Sequence, residues 1–220
     1  LTGQPELGGR EIIVPGDPSS AAFPLVGALL TRASEIKINN VGLNPLRIGL
    51  FTTLREMGAK IEITNTRKQG GEPVADLVVL SSQLRGVNVP AERAPSMIDE
   101  YPILAVAAAT AVGQTRMQGL AELRVKESNR LAAIADGLIA SGVNIEIDGD
   151  DLIVNGSPNR VPGGALIDSR MDHRIAMSFL ILGMNSKQPI KIDDARHIGT
   201  SFPNFTDLMN KLRANIKELC

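Results

Sequence analysis

Between residues 124 and 130 the chain reads Arg-Val-Lys-Glu-Ser-Asn-Arg, placing two guanidiniums, an ammonium and a carboxylate just where an apolar-periodic run, 131–142, begins. A helix through this segment puts Lys126, Glu127 and Arg130 on its first turn, with Lys126 and Arg130 four apart on one face. Like charges at that spacing repel by ~0.2–0.5 kcal/mol, and cations there meet the positive end of the helix dipole. A phosphate or carboxylate resolves the conflict, because it accepts from free first-turn N–H groups and from the basic side chains together. The alternative on these residues alone is a solvated helix start, with Glu127 and Arg130 an ordinary exposed pair.

Asp99 and Glu100 stand before a second apolar helix, where helix capping is one reading. Set beside the 124–130 cluster, Asp99 and Glu127 become two carboxylates from separate helix starts, able to divide base and acid work if their surroundings separate their pKa values. Asp172-His173-Arg174 opens a further helix. No nucleophile accompanies His173, whose reading is structural, whereas the Arg174 guanidinium can fork onto carboxylate or phosphate. Ser19 and Ser20 have no adjacent base and read as capping residues, Gly70-Gly71 as a loop without phosphate-loop pattern, and Met97, Met117 and Met171 as core filler.

The elements that must position these groups follow from periodicity. A strand is expected over 11–15, then cap chemistry at 16–20 and a helix over 21–30. A strand over 36–41, a helix opening at Asn44-Pro45 and closing at Gly58, strands over 60–65 and 76–80, and a loop over 68–73 complete a first round. The order returns: a cap over 95–100, a helix over 101–112, a strand over 115–120, a helix over 126–142, and strands over 144–148 and 151–155 around Gly149-Asp150. Helix exits match, Met57-Gly58-Ala59-Lys60-Ile61 against Ser141-Gly142-Val143-Asn144-Ile145. A third round offers a cap at 172–174, helices over 175–182 and 203–218, a strand over 190–192, and then no further strands. Strands from a preceding segment are therefore expected to complete it, since a bare sheet edge invites association. If a pseudo-threefold arrangement aligns the three capped helices, their N-termini create one anion-binding surface.

Composition bounds the rest. The 220 residues are 43% hydrophobic with a net charge of −1, enough for a sizeable core and without the basic excess of a nucleic-acid binder; at 3% aromatic residues, stacking platforms for single strands are not expected either. No membrane-length apolar run or signal peptide is read, so cytoplasmic residence is the default expectation. The one cysteine, Cys220, leaves intramolecular disulfides and cysteine-based zinc sites without ligands.

Gly16-Asp17-Pro18-Ser19-Ser20-Ala21-Ala22-Phe23, Asp99-Glu100-Tyr101-Pro102, the 124–130 cluster, Asp172-His173-Arg174-Ile175-Ala176-Met177 and Gly199-Thr200-Ser201-Phe202-Pro203 together resemble the 5-enolpyruvylshikimate-3-phosphate synthase family, of a bacterial type. The resemblance covers nearly all of this chain and about half of the family's usual length. It implies an α/β (α+β) fold: one domain of a two-domain inverse α/β barrel, built from three βαβαββ repeats, the third incomplete here. Residues 1–10 are then an interdomain lead and 11–220 the C-terminal domain, with repeats at about 11–82, 85–157 and 164–220. It further implies transfer of the enolpyruvyl group of phosphoenolpyruvate to shikimate 3-phosphate with release of phosphate, with no metal, cofactor or covalent enzyme intermediate. Carried over position by position, Asp99 matches the proton acceptor and a contact to the shikimate ring, and Lys126 a shikimate 3-phosphate ligand. Arg130 and Arg174 match the pair holding phosphoenolpyruvate, and Glu127 the carboxylate exchanging a proton with its methylene carbon. Thr200 departs from members with a lysine there. The remaining ligands are implied to lie in an N-terminal domain, the expected partner, without which this half is inactive. The alternatives are half of the sister transferase acting on UDP-N-acetylglucosamine, or a stand-alone phosphometabolite-binding domain.

Overall fold

A computed structural model describes residues 11–218 together with residues 3, 8 and 9. In chain order its elements are α1 (Pro18–Leu30), β1 (Glu35–Gly42), α2 (Gly49–Glu56), β2 (Lys60–Gln69), β3 (Glu72–Leu80), β4 (Asn88–Val89), α3 (Tyr101–Ala109), β5 (Gly113–Met117), α4 (Arg130–Ala140), β6 (Asn144–Asp148) and β7 (Asp151–Gly156). There follow β8 (Val161–Gly163), β9 (Leu166–Ile167), α5 (His173–Gly183), β10 (Ser186–Gln188), β11 (Lys191–Ile192), α6 (Ile198–Ser201) and α7 (Phe205–Lys211). Short 3₁₀ turns occupy Ala91–Ser96, Ile98–Glu100 and Ala121–Val125.

Three inner helices organise these elements. All nine residues of α3 are buried, and α1 and α5 pack against it and against each other. A helix apolar all round can lie only inside a protein, and the alanines of α3 let its neighbours approach closely. α4 also packs on α5, closely at Gly137, where an added Cβ would lie 2.2 Å from the Phe179 ring.

Sheets show the repeat. β1, β3 and β2 pair antiparallel in that order, with Gly16 bridged parallel to Val41 beyond β1. β4, β5, β7 and β6 repeat the arrangement, β4 being parallel to β5. In the third round β8 and β9 pair parallel with β10 and β11, and among the described residues no hairpin follows.

Several local expectations fail for identifiable reasons. No strand forms over 11–15, because among the described residues only Gly16 finds a bridge partner in this stretch; Ile12, Ile13 and Val14 are exposed. Asn44 starts a turn rather than α2, its side chain accepting from Leu46 N–H at 3.0 Å and its carbonyl from Arg47 N–H at 2.8 Å. The 68–73 loop shrinks to Gly70-Gly71, both with positive φ, which lets β2 and β3 run longer. β5 begins and ends earlier than 115–120, and α7 stops at Lys211 instead of continuing to 218. Met97 and Met117 are buried as expected, but Met171 is exposed. Lys126 and Glu127 are not helical. Asn129 caps α4, its side chain accepting from Ala132 N–H at 3.1 Å, so Arg130 is the first helical residue and the anticipated Lys126–Arg130 repulsion on one face does not arise.

Candidate active site

The starts of α1, α3, α4 and α5 carry the charged residues. α1 begins conventionally: Asp17 accepts from the backbone N–H and hydroxyl of Ser20, both at 2.9 Å, and Pro18 occupies the first turn, where no N–H is needed. Arg47 donates to Asp17 at 3.2 Å and to the Ser19 hydroxyl at 3.0 Å. α5 begins in the same way, with Asp172 accepting from Arg174 N–H at 2.9 Å. α3 does not. Neither Asp99 nor Glu100 caps it with a side chain, so the capping reading of 95–100 is corrected, and the Asp99 carboxylate is free for long-range partners.

Those partners are basic residues from two other helix starts. Arg130, whose side chain is 0% exposed, divides its fork among three carboxylates: Nε to Asp172 Oδ2 at 2.7 Å, Nη1 to Asp99 Oδ1 at 2.8 Å and Nη2 to Glu127. Ser128 adds a hydroxyl bond to Asp172 at 3.1 Å. Arg174 lies 3.5 Å from Asp99 Oδ2 and 3.6 Å from Glu100 Oε1. Lys126 reaches Glu122 at 2.7 Å and Asp99 at 3.8 Å. Asp99, Lys126, Arg130 and Arg174 therefore stand on one wall, with Glu127 joined through Arg130. An exposed Glu127–Arg130 pair, the bland alternative, is excluded by the burial of Arg130.

Electrostatics follow from this packing. Burial works to raise the Asp99 pKa, but Arg174, Arg130 and Lys126 together outweigh it and hold the carboxyl below its ordinary value. Burial likewise opposes the Arg130 cation, and the bond to Asp172 with the fields of Glu127 and Asp99 more than restores it. Glu100 goes the other way: burial pushes its pKa up, only partly offset by Ser19 and Arg174. His173 is half-buried, and burial followed by the Arg174 charge lowers its pKa, which favours the neutral ring and fits its structural reading. Thr200 donates its hydroxyl to His197 O at 2.7 Å, an ordinary helical back-bond.

Sequence reasoning passed over Asp172 and Glu100 as site members, treating both as caps. The only signal was their place beside Arg174 and Asp99. A cavity of about 370 Å³ lies apart from this wall, between α1, β1 and α7; its lining is largely apolar, including Pro24, Ile36, Ile38, Phe202 and Leu212. Among the described residues no helix is long and apolar enough to cross a membrane.

Fold and site together define a class: an α/β repeat domain that gathers two guanidiniums and a lysine around one carboxylate beside its helix starts. The model of EPSP synthase (3-phosphoshikimate 1-carboxyvinyltransferase) matches residues 1–209. The 3-phosphoshikimate 1-carboxyvinyltransferase of Acidiphilium cryptum is 61% identical over 217 residues, covering 99% of this chain and 48% of that protein. Its counterpart in Paramagnetospirillum magneticum is 62% identical over 216 residues, 98% of this chain and 48% of that one. Among solved structures, EPSP synthase of Acinetobacter baumannii superposes with a TM-score of 0.91 at 43% identity, covering 96% of this chain and 49% of that one. The enolpyruvyl transferase NikO of Streptomyces tendae, at 19% identity and a TM-score of 0.72, covers 90% of this chain and 43% of its own and shares the fold. The chain belongs to the EPSP synthase family. It spans about half the length of the curated relatives it matches.

Proposed function

We propose that this chain is the C-terminal half of an enzyme that transfers the enolpyruvyl group of phosphoenolpyruvate to the 5-hydroxyl of shikimate 3-phosphate, releasing phosphate, a step of the shikimate pathway of aromatic amino acid biosynthesis. The observation that carries the reading is the convergence of Lys126, Arg130 and Arg174 on Asp99. Residues 11–220 act as the domain, in repeats at about 11–82, 85–157 and 164–220, with residues 1–10 as lead. The shared strand order of the first two repeats supports that division. The preceding half of the enzyme is the partner, and cytoplasmic residence belongs to the same proposal.

The chemistry divides among the groups present. Phosphoenolpyruvate brings a phosphate and a carboxylate, and Arg130 and Arg174 bind and orient it; orientation alone can remove several kcal/mol of barrier. Lys126 holds the phosphate of shikimate 3-phosphate. Asp99 takes the proton of the 5-hydroxyl as its oxygen bonds to C2 of phosphoenolpyruvate, and Glu127 delivers a proton to the methylene carbon. In the elimination that follows, Glu127 takes a proton back from the new methyl group, the double bond re-forms and the C2–O bond to phosphate breaks, releasing phosphate. Three cations hold Asp99 ionised but weakly basic. Incoming anions neutralise them, raising its basicity when a hydroxyl proton must be accepted.

Mixing this chain with its separately produced preceding half and assaying phosphate release tests the proposal. Activity with shikimate 3-phosphate is expected, and Asp99→Asn is expected to abolish it while leaving the fold intact. Release only with UDP-N-acetylglucosamine, or with neither acceptor, rejects the reading. An Asp99→Asn enzyme as active as the parent rejects the role of Asp99.

A further inference from the structure

Arg130 and Arg174 touch four carboxylates, Asp99, Glu100, Glu127 and Asp172, so this part of an anion-binding wall carries more negative than positive charge. Three of the four are accounted for. Asp172 caps α5 and anchors Arg130, while Asp99 and Glu127 each accept from the Arg130 fork. Glu100 is different. It is 5% exposed, its Oε1 has no hydrogen-bond partner among the described residues, and its contact with Arg174 Nη1 is loose at 3.6 Å. The Arg174 Nε is buried and likewise without a hydrogen-bond partner among the described residues.

We propose, resting on the function above, that Glu100 is a positioning residue whose carboxyl takes up a proton when phosphoenolpyruvate binds, releasing Arg174 from a competing anion and lending it to the substrate. The groups facing Glu100 set the direction. Ser19 on α1, Arg174 on α5 and Arg47 from the turn before α2 favour its ionised form, while its own neighbour Asp99 and burial oppose it. With burial the largest influence, the carboxyl already holds its proton more tightly than usual. An anion placed on Arg174 cancels the nearest stabilising cation and adds a like charge, tightening that hold further. Binding is then coupled to proton uptake, and affinity falls as pH rises between the pKa values of the empty and occupied states. Glu100→Gln keeps the side-chain shape but removes both the charge and the coupling.

The test is calorimetric titration of phosphoenolpyruvate into the complete enzyme, repeated in buffers of differing ionisation enthalpy and over the whole pH range in which the enzyme stays folded, for parent, Glu100→Gln and Ser19→Ala. Subtracting the Glu100→Gln profile from the parent's removes protons exchanged by the ligand itself. The parent is expected to take up more protons than Glu100→Gln, by up to about one per ligand, and to lose affinity more steeply with pH, by at most about tenfold per unit. Glu100→Gln is expected to bind more tightly than the parent at the alkaline end, a gain that a merely structural residue would not give. Ser19→Ala, lacking a group that favours the ionised carboxyl, is expected to shift the fall in affinity to higher pH. Equal proton counts in parent and Glu100→Gln, or a Ser19→Ala profile unmoved, overturn the role of Glu100 even if turnover with shikimate 3-phosphate is normal. Absence of phosphoenolpyruvate binding in the parent rejects the functional reading itself, and Glu100's role with it.

Discussion

Asp17 and Asp172 hold corresponding places at the starts of α1 and α5, each capping an inner helix and each paired with an arginine from elsewhere in the chain. The Asp17–Arg47 pair is half open to solvent, its side chains 48% and 52% exposed, and it is a single 3.2 Å contact. The Asp172–Arg130 pair is wholly buried and extends through Arg130 to Asp99 and Glu127. The same cap serves two purposes. Where water screens it, it only starts a helix; where water is excluded, it also fixes a guanidinium whose remaining donors are aimed at two carboxylates.

The largest effect expected from this contrast is on Asp172. Asp172→Ala leaves a buried cation without the one partner carboxylate that is fully buried with it and is expected to cost about 3–5 kcal/mol of stability, read from denaturant unfolding of the complete enzyme. Asp17→Ala removes an exposed cap and is expected to cost about 1 kcal/mol. Arg47→Ala, breaking the solvent-screened pair and a hydrogen bond to the Ser19 hydroxyl, is expected to cost about 1 kcal/mol. Comparable losses for Asp172→Ala and Asp17→Ala would break the comparison.

A finer distinction lies in acid. The folded Asp99 carboxyl titrates below its ordinary value of 3.8, so its ionisation adds stability that is present above that pH and is lost as pH falls through the folded pKa. Asp99→Asn is accordingly expected to flatten stability against pH below about 4. A variant whose stability falls as steeply as the parent's in that range would show that the three surrounding cations do not act on Asp99.

Much of this architecture was legible because local signals agreed with it. Both helix exits read as matching, Gly58 and Gly142, adopt positive φ, 94° and 82°, a conformation that favours glycine there. Gly149-Asp150 turns β6 into β7 as read, and Asp17 and Asp172 cap where expected. What failed was decided at long range. The β-branched run 11–15 has strand propensity without a partner strand. Lys126 and Glu127 suit a helix, yet the cap at Asn129 wins and leaves both in a bend, where Lys126 can reach back to Glu122. Asp99 looked like a cap because its neighbours in sequence are a helix start, and only the fold reveals partners 31 and 75 residues away. The sequence-based family resemblance drew Asp99, Lys126, Glu127, Arg130 and Arg174 together; the pairing of Arg130 with Asp172, 42 residues apart, left no local trace.

Phosphoenolpyruvate and shikimate 3-phosphate binding to the complete enzyme carrying Arg174→Ala is the most direct test of the central claim, that guanidiniums from separate helix starts are gathered to hold one anion. Loss of a charge-assisted contact of about 1.5–3 kcal/mol predicts phosphoenolpyruvate affinity lower by about 10- to 150-fold, with shikimate 3-phosphate affinity nearly unchanged. Equal losses for the two ligands, or none for either, would contradict it.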